Sequence, residues 1–485
     1  MKNFILLMLF SNAIIAQVRF NKSYLYQQNE IEATSTLELP DGYLISERIV
    51  LSNDSAIGLG IRKIDLFGNN IWYKILSHPG TQIIASKNAM HFSISNTIWV
   101  SCIYSDSLIT MNPSDGMLIK INTNGDSLTS VKFGGPNSDR IYNSIIDSDG
   151  NLVCAGAKYA GLNKDNPWAV KFDQNGNLLW ENQPNNSSLS RHFEALAQDE
   201  NGDYFFAGVI KQSGENILRS KINHNGSTAW INPIFIANFP NGRATGIATF
   251  EDELIITGNN YSGPNNVVAY NFYDTAGNYL DYREFGPSYL KSNLYTNPLL
   301  IDSNSFAVAG RNQKHEIDSV YWGWFINFQY PDSMIWDRTY HYINSSDHLF
   351  YDLKRTSDGG FLLSGFNKND SLNVNNSWVV KLDSNGCDVP DCELLGAKEI
   401  NYTDELVFQI YPNPANNFID INITGLKSKH FVQIFTMEGL LLKDVQMEST
   451  DRIPLDNFAN GIYLLKVSDI NCSGKPLYQK IIVNN

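Results

Sequence analysis

Through residues 144–183 (SIIDSDGNLVCAGAKYAGLNKDNPWAVKFDQNGNLLWENQ), runs of apolar, β-branched and aromatic residues alternate with short polar turns. Residues 144–146 precede the turn Asp147-Ser148-Asp149-Gly150 and 151–157 follow it. Residues 168–172 precede the turn Asp173-Gln174-Asn175-Gly176, and 177–183 close the segment with Trp180. Asx-Gly turns between strand-forming runs predict hairpins, because glycine reaches positive φ without steric cost. Two hairpins in about 40 residues make one four-stranded antiparallel sheet. Such a sheet cannot bury its own faces and must stack on copies of itself.

The copies are visible along the chain. The first turn of each unit falls near Gly42, Asn96, Gly150, Gly202, Asp252, Asn304 and Gly359. The second falls near Gly68, Gly125, Gly176, Gly226, Gly277, Asp332 and Gly386. Both ladders advance by 50–57 residues, the period expected of propeller blades. The strand before the second turn recurs as IRKID, LIKIN, WAVKF, LRSKI, VAYNF, WFINF and WVVKL, and the strand after it carries Trp72, Trp180, Trp230 or Trp336. The seventh unit lacks its last strand, since the turn at Gly386 runs straight into CDVPDC. Residues 18–24 (VRFNKSY) precede the first unit and are expected to supply that strand. The predicted class is therefore all-β: a seven-bladed β-propeller of four-stranded blades, closed by an N-terminal strand that leaves no blade edge open.

The flanks differ. Residues 1–16 carry Lys2, an apolar core at 4–10 and Ala16 before Gln17, the layout of a secretory signal peptide. No other run approaches the roughly 18 apolar residues of a membrane span, so no transmembrane segment is expected in the mature chain. The propeller is assigned to 17–392 and an aperiodic linker to 393–406. Alternating runs at 407–411, 418–423, 432–435, 440–445, 462–467 and 477–483 make 407–485 a small immunoglobulin-like β-sandwich.

Composition narrows the function classes. A net charge of −14 excludes nucleic acid as a partner, because phosphates demand clustered Lys and Arg. Cys387 and Cys392 in CDVPDC are close enough to form a small disulfide clip after export, whereas Cys102 and Cys154 lie inside apolar runs and are expected to be buried, inert thiols. The turns at 147–150, 173–176, 199–202 and 383–386 resemble calcium loops only superficially, lacking a terminal Glu and flanking helices. The recurrent tryptophans are expected to dock units together, with no quinone implied. Lys63, Lys120, Lys171, Lys221 and Lys381 recur at one strand position, with Asp65, Asp173 and Asp383 as expected partners. His192, His341 and His348 are placed in connections between units, and no GxSxG or HExxH occurs. No catalytic, cofactor-binding or metal-binding residue is therefore assigned. Asp-Ser-apolar triplets such as Asp54-Ser55-Ala56, Asp106-Ser107-Leu108 and Asp370-Ser371-Leu372 match a bacterial O-glycosylation sequon.

The tail resembles a known family. Tyr411-Pro412-Asn413-Pro414-Ala415, then 435–439 (FTMEG) ending in Gly439, then 460–467 (NGIYLLKV) with Gly461, Tyr463, Lys466 and Val467, and finally 480–483 (KIIV) match the type A C-terminal sorting domain of the type IX (Por) secretion system of Bacteroidota in order and spacing. That resemblance implies export to the periplasm, passage across the outer membrane with the tail as address, and attachment to the surface or release after tail removal. It also implies the type IX machinery as a partner. The repeats 357–361 (SDGGF) and 378–383 (WVVKLD) are similar to propellers carried as cargo by such tails, a group with no single activity. The expected function is a surface-displayed or released, non-catalytic module binding glycan or a surface protein through loops on one face. The alternative is a secreted polysaccharide hydrolase with carboxylates in the propeller channel.

Overall fold

The structure is a computed structural model. It describes residues 17–389 and 407–484, apart from 52–56, 77–79, 94–95, 108–112, 162–163, 185–188, 212–213, 234–241, 261–266, 286–290, 314–319, 331–332, 344, 425–429, 437–439, 448–449 and 470–476. The chain divides into two compact bodies, Met1–Pro390 and Asp391–Asn485. Among the described residues there is no α-helix, and none long and apolar enough to cross a membrane.

In the first body, four-stranded antiparallel groups occupy 31–75, 82–133, 140–182, 190–233, 242–285 and 292–340, and a last group joins 345–382 to the N-terminal strand Phe20–Tyr24. A single parallel bridge, Asn143 to Lys87, links the second and third groups. The first strand of each group lies innermost, against the first strands of its neighbours. Each pair of neighbouring groups shares a buried hydrophobic cluster, and so do the last group and the first. The packing is cyclic and the architecture propeller-like.

The repeated turns show why sequence and packing agree. Asp173 Oδ1 accepts the backbone N–H of Asn175 and of Asn177, each at 2.8 Å, so the carboxylate caps its own hairpin. Gly226 sits at φ 86°, and a Cβ there would lie 2.6 Å from the ring of Trp180 in the preceding group. Gly125 meets Trp72, Gly277 meets Trp230 and Gly386 meets Trp336 in the same way. Each of these glycines thus makes the turn and seats the neighbour's tryptophan, the docking role expected of those residues.

The N-terminal strand pairs antiparallel with Val374–Leu382, Phe20 opposite Lys381 and Tyr24 opposite Ser377. Trp378 Nε1 donates to Asn21 Oδ1 at 2.7 Å, and Tyr24 Oη donates to the Gly68 carbonyl at 2.8 Å. Gln17 Nε2 donates to the Asp358 carbonyl while its Oε1 accepts from Ser384 N. The strand therefore completes the last group and touches the first. In the first group, Glu47 forms a buried ion pair at 2.7 Å with Arg62, whose guanidinium lies over the rings of Tyr24 and Tyr73.

Three expectations need correction. The repeated lysines pair with acids other than those expected: Lys63 with Asp41 (2.6 Å), Lys171 with Asp147 (2.8 Å), Lys221 with Asp203 (2.9 Å) and Lys381 with Asp358 (2.9 Å). Asp65 and Asp173 are consumed by their own turns, and Asp383 pairs with Arg19 at 2.9 Å. Lys120 donates to the Gln174 carbonyl and lies over Trp99. Second, His192 and His348 are not in connections; both are buried on innermost strands. His341 does lie in a connection, stacked on Trp322. Third, the tail holds a strand, Thr450–Pro454, that its sequence concealed. Ile453 is its one buried apolar side chain and a proline ends it, so no alternation was available to read.

In the second body, Val407–Tyr411, Phe418–Thr424 and Thr450–Pro454 form one sheet. Leu441–Met447, His430–Thr436, Gly461–Asp469 and Leu477–Val483 form the other. Both sheets contribute to one hydrophobic core that includes Ile419, Ile421, Ile453, Val432, Leu465 and Ile481. Cys102 and Cys154 are buried and free, and burial pushes both thiols up. Cys387 is disulfide-bonded; Cys392, its expected partner, and Gly439 lie outside the described residues.

Candidate functional site

Every innermost strand breaks register partway along. The breaks fall between Ala33 and Ser35, Ala85 and Met90, Ile141 and Asn143, Phe193 and Ala195, Ala244 and Gly246, and Phe350 and Asp352. In the sixth group the strand divides into Ser292–Leu294 and Leu299–Asp302. A bulge inserts an unpaired residue, bends the strand and re-aims side chains. Its cause is legible in the adjacent strand. At Gly156, Gly208, Gly258, Gly310 and Gly365, a Cβ would lie only 1.8–2.3 Å from the carbonyl oxygen of Arg140, His192, Arg243, Asn293 or Leu349. Only glycine permits that approach. The first two groups place Glu47 and Cys102 opposite the break instead.

The break in the second group skips four residues, 86–89, and these reach partners in groups that are not its neighbours. Asn88, at φ 50°, donates to the Ser144 carbonyl and accepts a hydrogen bond from Lys354 Nζ. Lys87 Nζ lies 5.2 Å from the ring centroid of Tyr295. Asn143 Nδ2 donates to the Glu194 carbonyl at 3.3 Å and approaches Asn297 Oδ1 at 3.5 Å. These contacts span the second group to the sixth and seventh, and the third to the sixth. Together these contacts tie innermost strands across the cycle of groups, and we term them the floor.

Above the floor, on the side where innermost strands begin, charges and aromatics gather. Glu194, 3% exposed, accepts from His192 Nε2 at 2.9 Å and pairs with Arg243. Burial by itself raises this carboxyl, but the His192 hydrogen bond, Lys87 and Arg243 together hold it down at about 2. Burial lowers the Lys87 amine, Arg243 adds to the effect and Glu194 opposes it. Lys87 nonetheless keeps accessible surface, the combination expected of a group lining a recess. Tyr142 packs 5.4 Å from His192, and Tyr295 meets Tyr351 edge-on at 5.9 Å. Burial raises Glu32 and Asp347, which also repel one another, while Arg48 and Arg311 oppose the rise. Below the floor, burial and Lys354 push His91 down to about 3, and its Nε2 lies 3.0 Å from Ser144 Oγ.

Chemically, the recess offers aromatic faces and paired charges. Glu194 is ionised across the physiological range and has no proton to give. Among the described residues no group of three or more metal-ligating side chains occurs. Sequence reading assigned none of the recess residues. The signal that could have found them is the glycine recurring six residues after the first-turn position in five units (Gly156, Gly208, Gly258, Gly310 and Gly365), which marks the bulge opposite.

In the tail, the motif residues hold the C-terminal strand. Asn413 Oδ1 accepts from Ile482 N at 2.9 Å while its Nδ2 donates to the Lys480 carbonyl at 2.8 Å. Ala415, 1% exposed, bridges Val483 in parallel and exchanges backbone hydrogen bonds with Ile482 and Asn484. Pro412 and Pro414 flank this clamp, and Tyr411, Pro412 and Pro414 are exposed. Tyr463 donates to the Ala459 carbonyl at 2.7 Å and packs edge-on to Phe458, and Val467 is in the core. Lys466 is half-buried; Gly461 is exposed, and a Cβ there would meet nothing closer than 4.0 Å.

Comparison with known proteins agrees with the tail. Residues 409–484 match the secretion system C-terminal sorting domain. No match was found among curated proteins. Among solved structures, the chain is similar to the polysaccharide lyase Uly1 (TM-score 0.47, 9% identity, covering 73% of this chain and 90% of that one). It is also similar to the β-propeller domain of the Trilobed protease from Pyrococcus furiosus (0.44, 8%, 74% and 97%). A third is the ulvan lyase of polysaccharide lyase family PL25 (0.45, 8%, 75% and 96%). At these scores no activity or residue role transfers. The tail is a type IX sorting domain, and it sends the chain to the cell surface or the extracellular space.

Proposed function

We propose that this type IX-exported chain is a glycan-binding module whose ligand enters the recess above the channel floor. The carrying observation is that Tyr142, beside His192, and the Tyr295–Tyr351 pair lie next to the contacts that cross the cycle of groups. Aromatic faces stack on sugar rings. The cyclic packing supports a closed seven-bladed propeller, and the two sheets around one core support an immunoglobulin-like sandwich for the tail. We further assign residues 1–16 to a signal peptide, 17–392 to the propeller, 393–406 to a linker and 407–485 to the sorting domain. After tail removal the propeller stays on the outer-membrane surface or is released.

The test is a thermal-shift screen of the full chain against plant, algal and host glycans, followed by titration of any hit. A ligand at about 100 times its Kd stabilises by ~2.7 kcal/mol, a rise of several degrees. Tyr295→Ala and Tyr351→Ala should each weaken the hit about tenfold. Unchanged affinity in both variants would move the site elsewhere. Hydrolysis is the second reading, favoured by Glu32 and Asp347, whose raised carboxyls suit a proton donor. Release of reducing ends from the bound glycan, lost in Glu32→Gln, would make it the first.

A further inference from the structure

The mouth of the channel is electrically divided. The innermost strands of the third, fourth and fifth groups each carry an arginine at their first or second position: Arg140, Arg191 and Arg243. Lys87 adds a fourth cationic side chain on that side, coupled to both Glu194 and Arg243. Glu194 couples to Lys87 and Arg243, and it is already engaged by Arg243 and His192. Across the mouth, the first and seventh groups carry Glu30, Glu32 and Asp347 with Arg48 and Arg311 as their partners. On a chain of net charge −14, a local excess of cations is a built feature and not a reflection of composition.

Arg191 makes the excess specific. It is 6% exposed, and among the described residues neither Nε nor Nη1 has a hydrogen-bond partner. No carboxylate influences it; the one effect on it is burial, which lowers its pKa. Burying two nitrogens of a guanidinium with neither a hydrogen-bond acceptor nor a counter-ion carries a desolvation cost. Arg62, by contrast, is buried with Glu47 against it and Asn70 on its Nη1, and the buried Arg219, with its Nη1 unpartnered, donates from Nε and Nη2 to the Gly277 carbonyl. Arg191 also lies next to His192, on the strand that carries Glu194. An uncompensated guanidinium at the loop-bearing end of an innermost strand is suited to receive a planar or tetrahedral oxyanion.

We propose that the arginine side of the mouth, with Arg191 as anchor, binds the anionic group of an acidic saccharide, a uronate carboxylate or a sulfate ester. This rests on the glycan-binding reading of the recess and narrows it to one class. The tyrosines then hold the sugar ring while Arg191 and Arg243 meet its charge. A ligand anion supplies the counter-charge that the fold omits, so unliganded protein carries a destabilised site whose relief favours binding.

The experiment titrates the full chain by calorimetry with polygalacturonate, dextran sulfate and uncharged dextran at 50 and 300 mM NaCl. The expected result is binding of at least one charged polymer, weaker at the higher salt, with dextran inert. Which charged polymer binds distinguishes carboxylate from sulfate. Arg191→Met should lose at least tenfold in affinity and, because it removes an unpaired buried charge at similar volume, should melt at a higher temperature than the wild type without ligand. Lys74→Met, a change on an outer strand, should alter neither. The proposal is overturned if Arg191→Met melts lower and binds the charged polymer as before, which makes Arg191 structural. It is overturned too if dextran binds as well as dextran sulfate; Tyr351-dependent dextran binding would then leave the recess a glycan site without preference for acids. Absence of binding by any saccharide, charged or not, ends both readings.

Discussion

Glu194 is one of 50 acidic residues in the sequence, and nothing local sets it apart. Its role comes from being the extra residue of a bulge, which carries its carboxylate to Lys87, His192 and Arg243. In the folded protein its carboxyl is held at about 2, below the ordinary glutamate value of 4.5. The stability it contributes is therefore fully present above pH ~4.5 and is lost as pH falls toward 2. Glu194→Gln should cost about 3 kcal/mol at pH 7, and urea denaturation at pH 7, 5 and 3 should show the gap from wild type narrowing at the lowest pH. A gap of equal size at pH 3 would mean that the charge of Glu194 is not what the neighbouring cations hold. The recurrent glycines teach the complementary lesson. Gly208 looks like any strand glycine in sequence, yet its missing Cβ is what lets the His192 carbonyl approach.

At the scale of elements, the hairpins were legible because an Asx carboxylate and a glycine act within five residues of each other. Asp173 and Gly176 need no distant partner to make their turn. The closing strand was legible by subtraction, since one unit lacked a strand and one strand lacked a unit. Its contribution can be tested directly. A chain beginning at residue 25 would expose the edge of Val374–Leu382 and remove Phe20 and Tyr24 from the cluster between the last and first groups. Open edges of long strands pair with other chains. Size-exclusion chromatography of that truncation is expected to show soluble aggregates and a melting temperature lower by several degrees. A monomer of unchanged melting temperature would mean that the ring closes without the strand.

For the whole molecule, the sorting tail is folded around its own last strand. Asn413 ties Lys480 and Ile482 through both ends of its amide, so the motif near the start of the domain organises the strand at its end. Asn413→Ala removes two hydrogen bonds worth about 1 kcal/mol each and is expected to slow export, with deletion of 407–485 abolishing it. Cell fractionation of the native host reads both, as protein retained in the periplasm. Normal surface levels after the deletion would show that the address lies elsewhere in the chain.

What was readable from the sequence was whatever depends on neighbours along the chain: the turns, strand periodicity, repeat length, the strand missing from the last unit and the sorting motif. The hidden strand Thr450–Pro454 and the true partners of the repeated lysines were not readable, because their energy comes from contacts with other strands and turns. The recess was least readable of all. Lys87 meets Tyr295, and Asn143 meets Asn297, only because the repeats pack cyclically and a four-residue break in one strand frees Lys87 from its own sheet. Local sequence sets which backbone conformations are cheap, and so it settles hairpins one at a time. Which side chains share a low-dielectric space, and therefore which charges couple, is settled only when distant strands are brought together.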